Sequence, residues 1–328
     1  MRLYRRLQMA FYDIDLTEQV KNNHELWDIE EVVKFSTLVY RLKDLEKGLG
    51  RKGYGCEVGL RCLYLQFHYD LSDRELEKRL RFDMAMKWFC DFTAFEETPD
   101  HTYFSRFRTL AGTKRIGKIF NAIVKKAEKE GIIRNVFTFV DATAIKTKET
   151  TWKERDDAIK VGEKKVNNKN IKKYSADQDA RYGCKGKDKF WFGYKETDSV
   201  DMGSGLKKKV AVTQANVPDQ DAFKHVCPNG GMVFADKSYC LKSAQDEMKK
   251  KGCHSGAILK QNMTKKNKDL DRWISSVRAP FEGVFSKKSK RARYRGLAKQ
   301  QLQAFLDAIV FNVKRLVVIH SQLVPLNT

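Results

Sequence analysis

Along the first 130 residues the apolar positions recur at helical spacing. From Glu57 to Tyr69 they stand at 58, 60, 62, 63, 65 and 67, which predicts a mostly buried helix. Ser72 lies three residues before Glu75, a capping-box pair that opens a helix over 73–80. Thr98-Pro99-Asp100 starts another, with Tyr103, Phe104, Phe107 and Leu110 behind it and Arg106, Arg108, Lys114 and Arg115 on the opposite face. Short capped helices with a basic face suit a helix-turn-helix type of DNA-binding module. A small bundle with solvated arginines has the same periodicity.

After Gly131 the period changes. Residues 135–145 (NVFTFVDATAI) are β-branched and apolar, a buried strand ending in a carboxylate. Further strands are expected over 189–196, 206–213, 231–236 and 255–260, and helices over 218–226, 241–251, 270–287 and 299–318. The pattern is an α/β plan around one mixed five-stranded sheet with flanking helices. The chain accordingly divides into 1–130, all-helical, and 131–328, α/β. No internal repeat is visible.

Composition narrows the class. The 328 residues suffice for about two domains of ~150 residues. Lys and Arg total 64 against 42 Asp and Glu, a net +22 that calls for a polyanionic partner, nucleic acid being the commonest. The longest apolar stretch, 304–319, is broken by Asp307, Asn312, Lys314 and Arg315, so no membrane span is expected. The apolar run at the start ends at Asp13, too soon for a signal-peptide core. Seven cysteines without a Cys-x-x-Cys pair read as reduced thiols of a cytosolic protein and not as a zinc site.

Two basic stretches stand out. Residues 146–173 hold ten Lys/Arg against five Asp/Glu, with Asn167, Asn168 and Asn170, and read as a mobile excursion. Residues 287–299 (KKSKRARYRGLAK) hold seven basic residues and no acid. Interleaved with Tyr294 and flanked by apolar helices, this belt is expected to bind DNA phosphates through Lys288, Lys290, Arg291, Arg293 and Arg295.

Asp141 and Asp236 each follow an apolar strand, where open α/β sheets place their sites. On neighbouring strands the two carboxylates would meet, and like charges so close call for a cation; hard oxygen donors suit Mg²⁺ or Mn²⁺. A strand-ending aspartate can also merely cap the next turn. With the excess positive charge, the pair points to two-metal phosphodiester chemistry. Glu282 is the candidate third acid. Trp273, Val277, Phe281 and Phe285 repeat every fourth residue, and Ser275, Arg278 and Glu282 share the neighbouring face. Arg278 would orient the glutamate or touch a phosphate. Pro280 predicts a helix that is kinked there or begins there.

The strings FVDATAI, KGKDKFWFGYK, VTQANVPDQ, FADKSY, VRAPFE and RYRGLAKQQL resemble the catalytic half of DDE transposases of bacterial insertion sequences, closest to the group named after insertion sequence five. LSDRELEKRLRFDMAMKWF and TPDHTYFSRFR are similar to that family's helical amino-terminal domain. The resemblance implies an all-α DNA-binding domain followed by an RNase H-like catalytic domain. It also implies an acidic triad of Asp141, Asp236 and Glu282, 95 and 46 residues apart, holding two Mg²⁺ ions, with Mn²⁺ able to substitute. The implied activity is metal-dependent cleavage at transposon ends and strand transfer into target DNA. Its partners would be double-stranded DNA, as terminal inverted repeats and target, and a second copy in a homodimer, in a bacterial cytoplasm at the nucleoid. Arg278 matches the arginine of the family's Tyr-x2-Arg-x3-Glu-x6-Lys signature. Ser275 replaces its Tyr and Ser289 its Lys, Ser238 replaces a usual Gly, and Pro280 lies within it. Those departures leave a second reading, a degenerate or domesticated copy that holds DNA without cutting it.

Overall fold

The computed structural model describes residues 17–21, 24–47, 53–147, 156–157, 159–162, 166–186, 189–260, 263, 267–286 and 290–323; the side chains of 46–47, 282–286 and 323 lie outside the description. Two compact units form: Met1–Lys125 with Phe305–Thr328, and Lys126–Ala304. The first unit is therefore discontinuous in sequence, and residues 305–328, assigned by sequence to the α/β half, group with the helices.

The helical unit contains α1 (Glu25–Val33), α2 (Gly55–His68), α3 (Asp73–Phe82), α4 (Met84–Phe89) and most of α5 (His101–Lys129). The α3 capping box forms as predicted: Glu75 N–H donates to Ser72 Oγ and Ser72 N–H to Glu75 Oε2. Asp100 Oδ1 accepts the N–H groups of Thr102 and Tyr103 and so caps α5. Two helical segments of α5 meet at Gly112, whose φ of +63° suits glycine. The second part of α8 (Leu297–Leu323) belongs here: the Phe305 ring lies 5.6 Å from that of Phe120, and Lys314 Nζ donates to the His68 carbonyl. The last helix is thus divided: in its first part Gln301 bonds the backbone of Val210 and Val212 in the sheet, and from Phe305 onward it groups with the helices.

The basic face of α5 is narrower than its sequence implied. Residues two apart stand about 200° apart around a helix, so Arg106 and Arg108 do not share a face. Arg106 is exposed, whereas Arg108 turns inward to pair with Asp73 at 2.6 Å and to bond Gln66. Arg115 pairs with Asp44 at 2.7 Å, and Lys114 is exposed.

The second unit is built on a mixed sheet of six strands, one more than expected. They are β1 (Phe137–Lys146), β2 (Arg181–Lys185), β3 (Lys189–Asp201), β4 (Lys207–Gln214), β5 (Gly231–Ala235) and β6 (Cys253–Ala257). The order is β2-β3-β1-β5-β6, with β4 also paired to β3. β1 runs antiparallel to β3 and parallel to β5. Strand alternation sorts the side chains. Phe139, Phe234 and Val200 form one apolar layer with Ile274 of α7 (Lys268–Ser286). Val140, Val233 and Ala235 form the other with Phe223, Tyr239 and Met248, the last from the amphipathic helix α6 (Lys242–Lys250). Helix α7 runs through Pro280, neither ending nor starting there. The asparagine-rich stretch is docked where it is described: the Asn168 amide exchanges two hydrogen bonds with the backbone of Tyr182, and Ile171 is fully buried.

Candidate active site

The register of β1 with β5 positions the site. Phe137 pairs with Met232, Thr138 with Val233 and Phe139 with Phe234. Two residues beyond Phe139 and Phe234 stand Asp141, in the middle of β1 just past its pairing with β5, and Asp236, directly after the end of β5, on adjacent parallel strands spaced about 4.8 Å and on the side of the sheet that carries the two phenylalanines. The two sequence-predicted aspartates are brought together.

Burial dominates the electrostatics of Asp141. Burial pushes the Asp141 carboxyl up to about 6, and the neighbouring Asp236 charge adds to the rise. The Ala142 N–H, donating to Oδ1 at 2.8 Å, opposes it, as do the charges of Lys185 and Arg278. Asp236 caps the following turn: its Oδ1 accepts both the backbone N–H and the hydroxyl of Ser238. Serine at the position of a usual glycine therefore fixes the rotamer of the second acid.

Arg278 does not reach out to solvent. Its side chain is nearly buried, with the guanidinium 5.2 Å from the Phe139 ring centroid and Nε without a hydrogen-bond partner among the described residues. It lies near enough to Asp141 to favour the ionised carboxylate. Glu282 follows one turn later on α7, the helix packed on this face of the sheet; its side chain lies outside the described residues. Among the described residues no group of three metal-ligating side chains forms. Lys288 and Ser289 are likewise outside the description. Lys290, Arg291 and Arg295 are exposed and Arg293 is half-buried. Ser275 is exposed, its hydroxyl bonded to the Asp271 carbonyl.

Three further charged residues share this face and were not picked out by sequence. Asp198 of β3 pairs in register with Asp141 and is fully buried. Lys207, equally buried, stands 3.0 Å from Asp198 and 3.9 Å from Glu196. The ammonium neutralises the carboxylate next to Asp141. Lys207 belongs to a Lys207-Lys208-Lys209 run that looks solvated in sequence, and only its place between apolar Leu206 and Val210 hints at burial.

A mixed sheet with two carboxylates on adjacent parallel strands, and a helix on the same face that sets an arginine near the first of them, is the arrangement of an RNase H-like domain. A family described as "Transposase DDE domain" matches residues 134–313, over half the chain, and one described as "Transposase domain (DUF772)" matches residues 14–110. The chain belongs to the DDE transposases of insertion elements: it is an enzyme of DNA transposition, with the nuclease and transesterase activity of that family, which binds DNA and generally uses a divalent metal. No described helix is long and apolar enough to cross a membrane.

Proposed function

We propose that Asp141, Asp236 and Glu282 are the acidic triad of this transposase, that they take two Mg²⁺ ions with Mn²⁺ able to substitute, and that the protein acts as a homodimer on paired ends of its own element, one of the insertion-sequence-five type. The observation that carries this reading is the register of β1 and β5, which sets two carboxylates side by side. The donor set fits a hard divalent cation: both acids offer oxygen, and without a cation Asp141 holds its proton up to about pH 6. When bound, the ions would activate the attacking oxygen and stabilise the leaving one.

The protein's own groups do the remaining tasks. Ser238 holds the Asp236 carboxylate in one orientation, and the Ala142 N–H does the same for Asp141. Arg278, buried near Asp141, balances its charge and meets a phosphate only once one enters the site. Lys288, Lys290, Arg291, Arg293 and Arg295 grip the DNA backbone, and the helical domain, with Arg106 exposed on α5, reads the terminal repeat. Arg108, spent on Asp73, is left out of that surface.

The test is cleavage in vitro of a duplex bearing the terminal inverted repeat, with Mg²⁺. Asp141→Ala and Glu282→Gln abolish cleavage while DNA binding persists, and the wild-type products include joined strands. Undiminished cleavage by either variant refutes the assignment.

A further inference from the structure

The basic segment after α7 is held by its backbone. The Lys146 N–H donates to the Lys290 carbonyl and the Ala292 N–H to the Lys146 carbonyl, each at 2.8 Å, so 290–292 runs parallel beside the end of β1. Gln303 accepts the Arg293 N–H at 2.9 Å and donates to the Arg291 carbonyl, while the buried Gln300 donates to the Tyr294 carbonyl. The Gly296 N–H donates to Asp177 Oδ1 at 3.2 Å and the Leu297 N–H to Asp179 Oδ2 at 2.9 Å. A basic loop that only needed solvation would require none of these bonds.

Asp177 is the anchor among them. It is 1% exposed, and its Oδ1 accepts the Tyr194 hydroxyl at 2.6 Å as well as the N–H groups of Asp179 and Gly296. Its Oδ2 is buried without a hydrogen-bond partner among the described residues. A half-satisfied buried carboxylate is destabilising, so mere space-filling does not account for it. Tyr194 comes from β3, and Gln214, at the end of β4, bonds the Asp179 carbonyl at 2.8 Å. The 175–179 turn therefore ties the central strands to the point where the basic segment enters α8. Asp141 lies five residues before Lys146 on β1, about 17 Å along the strand, so the setting of this turn fixes how far the segment's cations stand from the first acid.

We propose that Asp177 is a positioning residue for DNA: with Asp179 and Tyr194 it holds the basic segment at one place along β1, so that phosphates bound by Lys290, Arg291, Arg293 and Arg295 bring one phosphodiester to Asp141. This rests on the reading that the segment binds DNA. The obvious alternative is a role in stability alone.

The experiment uses the full chain and a duplex bearing the terminal repeat, measuring affinity against salt concentration and mapping the cleaved bond with Mg²⁺. Each phosphate contact contributes about 0.9 to the logarithmic salt slope. Asp177→Ala, with far-UV circular dichroism unchanged, lowers the slope by at least about one and spreads cleavage over neighbouring phosphodiesters. Its added positive charge alone would move the slope the other way. Tyr194→Phe, which removes one hydroxyl, gives the same result in weaker form and serves if Asp177→Ala does not fold. A folded variant with the wild-type slope and a single cleavage position overturns the proposal. The double variant Lys290→Gln, Arg295→Gln separates the two levels. If it too keeps the wild-type slope, the segment does not bind DNA; if it lowers the slope while the Asp177 and Tyr194 variants do not, only the positioning role falls.

Discussion

Replacing Asp141 by Asn tests the burial of the first acid beside Asp236 without any DNA. In the folded protein burial and the Asp236 charge raise the Asp141 carboxyl from 3.8 to about 6. A shift of two units corresponds to about 3 kcal/mol. The sign follows from proton binding: between pH 4 and 6 the folded state holds the proton and the unfolded state has lost it. Stability therefore falls as pH rises through that window and stays low above it. Asn keeps the oxygen that accepts the Ala142 N–H and carries no charge. In EDTA at pH 7.5, Asp141→Asn is therefore more stable than wild type by up to about 3 kcal/mol. For a unit of this size that is roughly 6–10 °C in melting temperature. At pH 3.5 the difference vanishes, and Mg²⁺ at pH 7.5 narrows it by stabilising only the wild type. Thermal unfolding followed by circular dichroism across pH 3.5–8 measures all three. A variant no more stable than wild type at pH 7.5, or a gap independent of pH, refutes the idea that Asp141 is a buried carboxylate, ionised at a cost beside Asp236.

Lys207→Met takes a buried ammonium away from Asp198 and Glu196 and costs about 3–5 kcal/mol in urea unfolding, while Lys207→Met with Asp198→Leu regains much of that loss. Failure of the double variant to recover places the cost elsewhere. On α5, Arg106→Ala lowers the salt slope of DNA binding by about one with no change in melting. Arg108→Ala, which takes the counter-ion from Asp73, costs about 2 kcal/mol of stability and leaves the slope alone. The reverse pattern would restore Arg108 to the DNA surface.

What the sequence revealed and what it hid divide along physical lines. Strands β1 and β5 were legible because a strand buried on both faces reads as a continuous apolar run, and each run ends in the acid that matters. The α3 capping box was legible because both partners lie within one helical turn. Strand β2 was missed because RYGCK is short and carries no β-branched residue. β6 was expected at 255–260 and runs over Cys253–Ala257, its register set residue by residue against β5. Asp198 and Lys207 escaped notice because their meaning lies in a cross-strand pairing that local pattern does not encode. Asn168 looked like loop composition and acts as a strand edge. The charge of the basic segment was plain; its clamp at Asp177 and Asp179 comes from more than a hundred residues upstream.

Two stretches far apart in the sequence build the helical unit, since described residues from 305 onward join those before 125. Splitting the gene near codon 130 would therefore yield no self-contained module. The upstream product would lack the partner of Phe120, and the downstream one would present Phe305 to water. During translation the helical unit is finished last, after the whole sheet has been synthesised. A well-behaved fragment should instead fuse 305–323 to residue 125 through a short flexible tether.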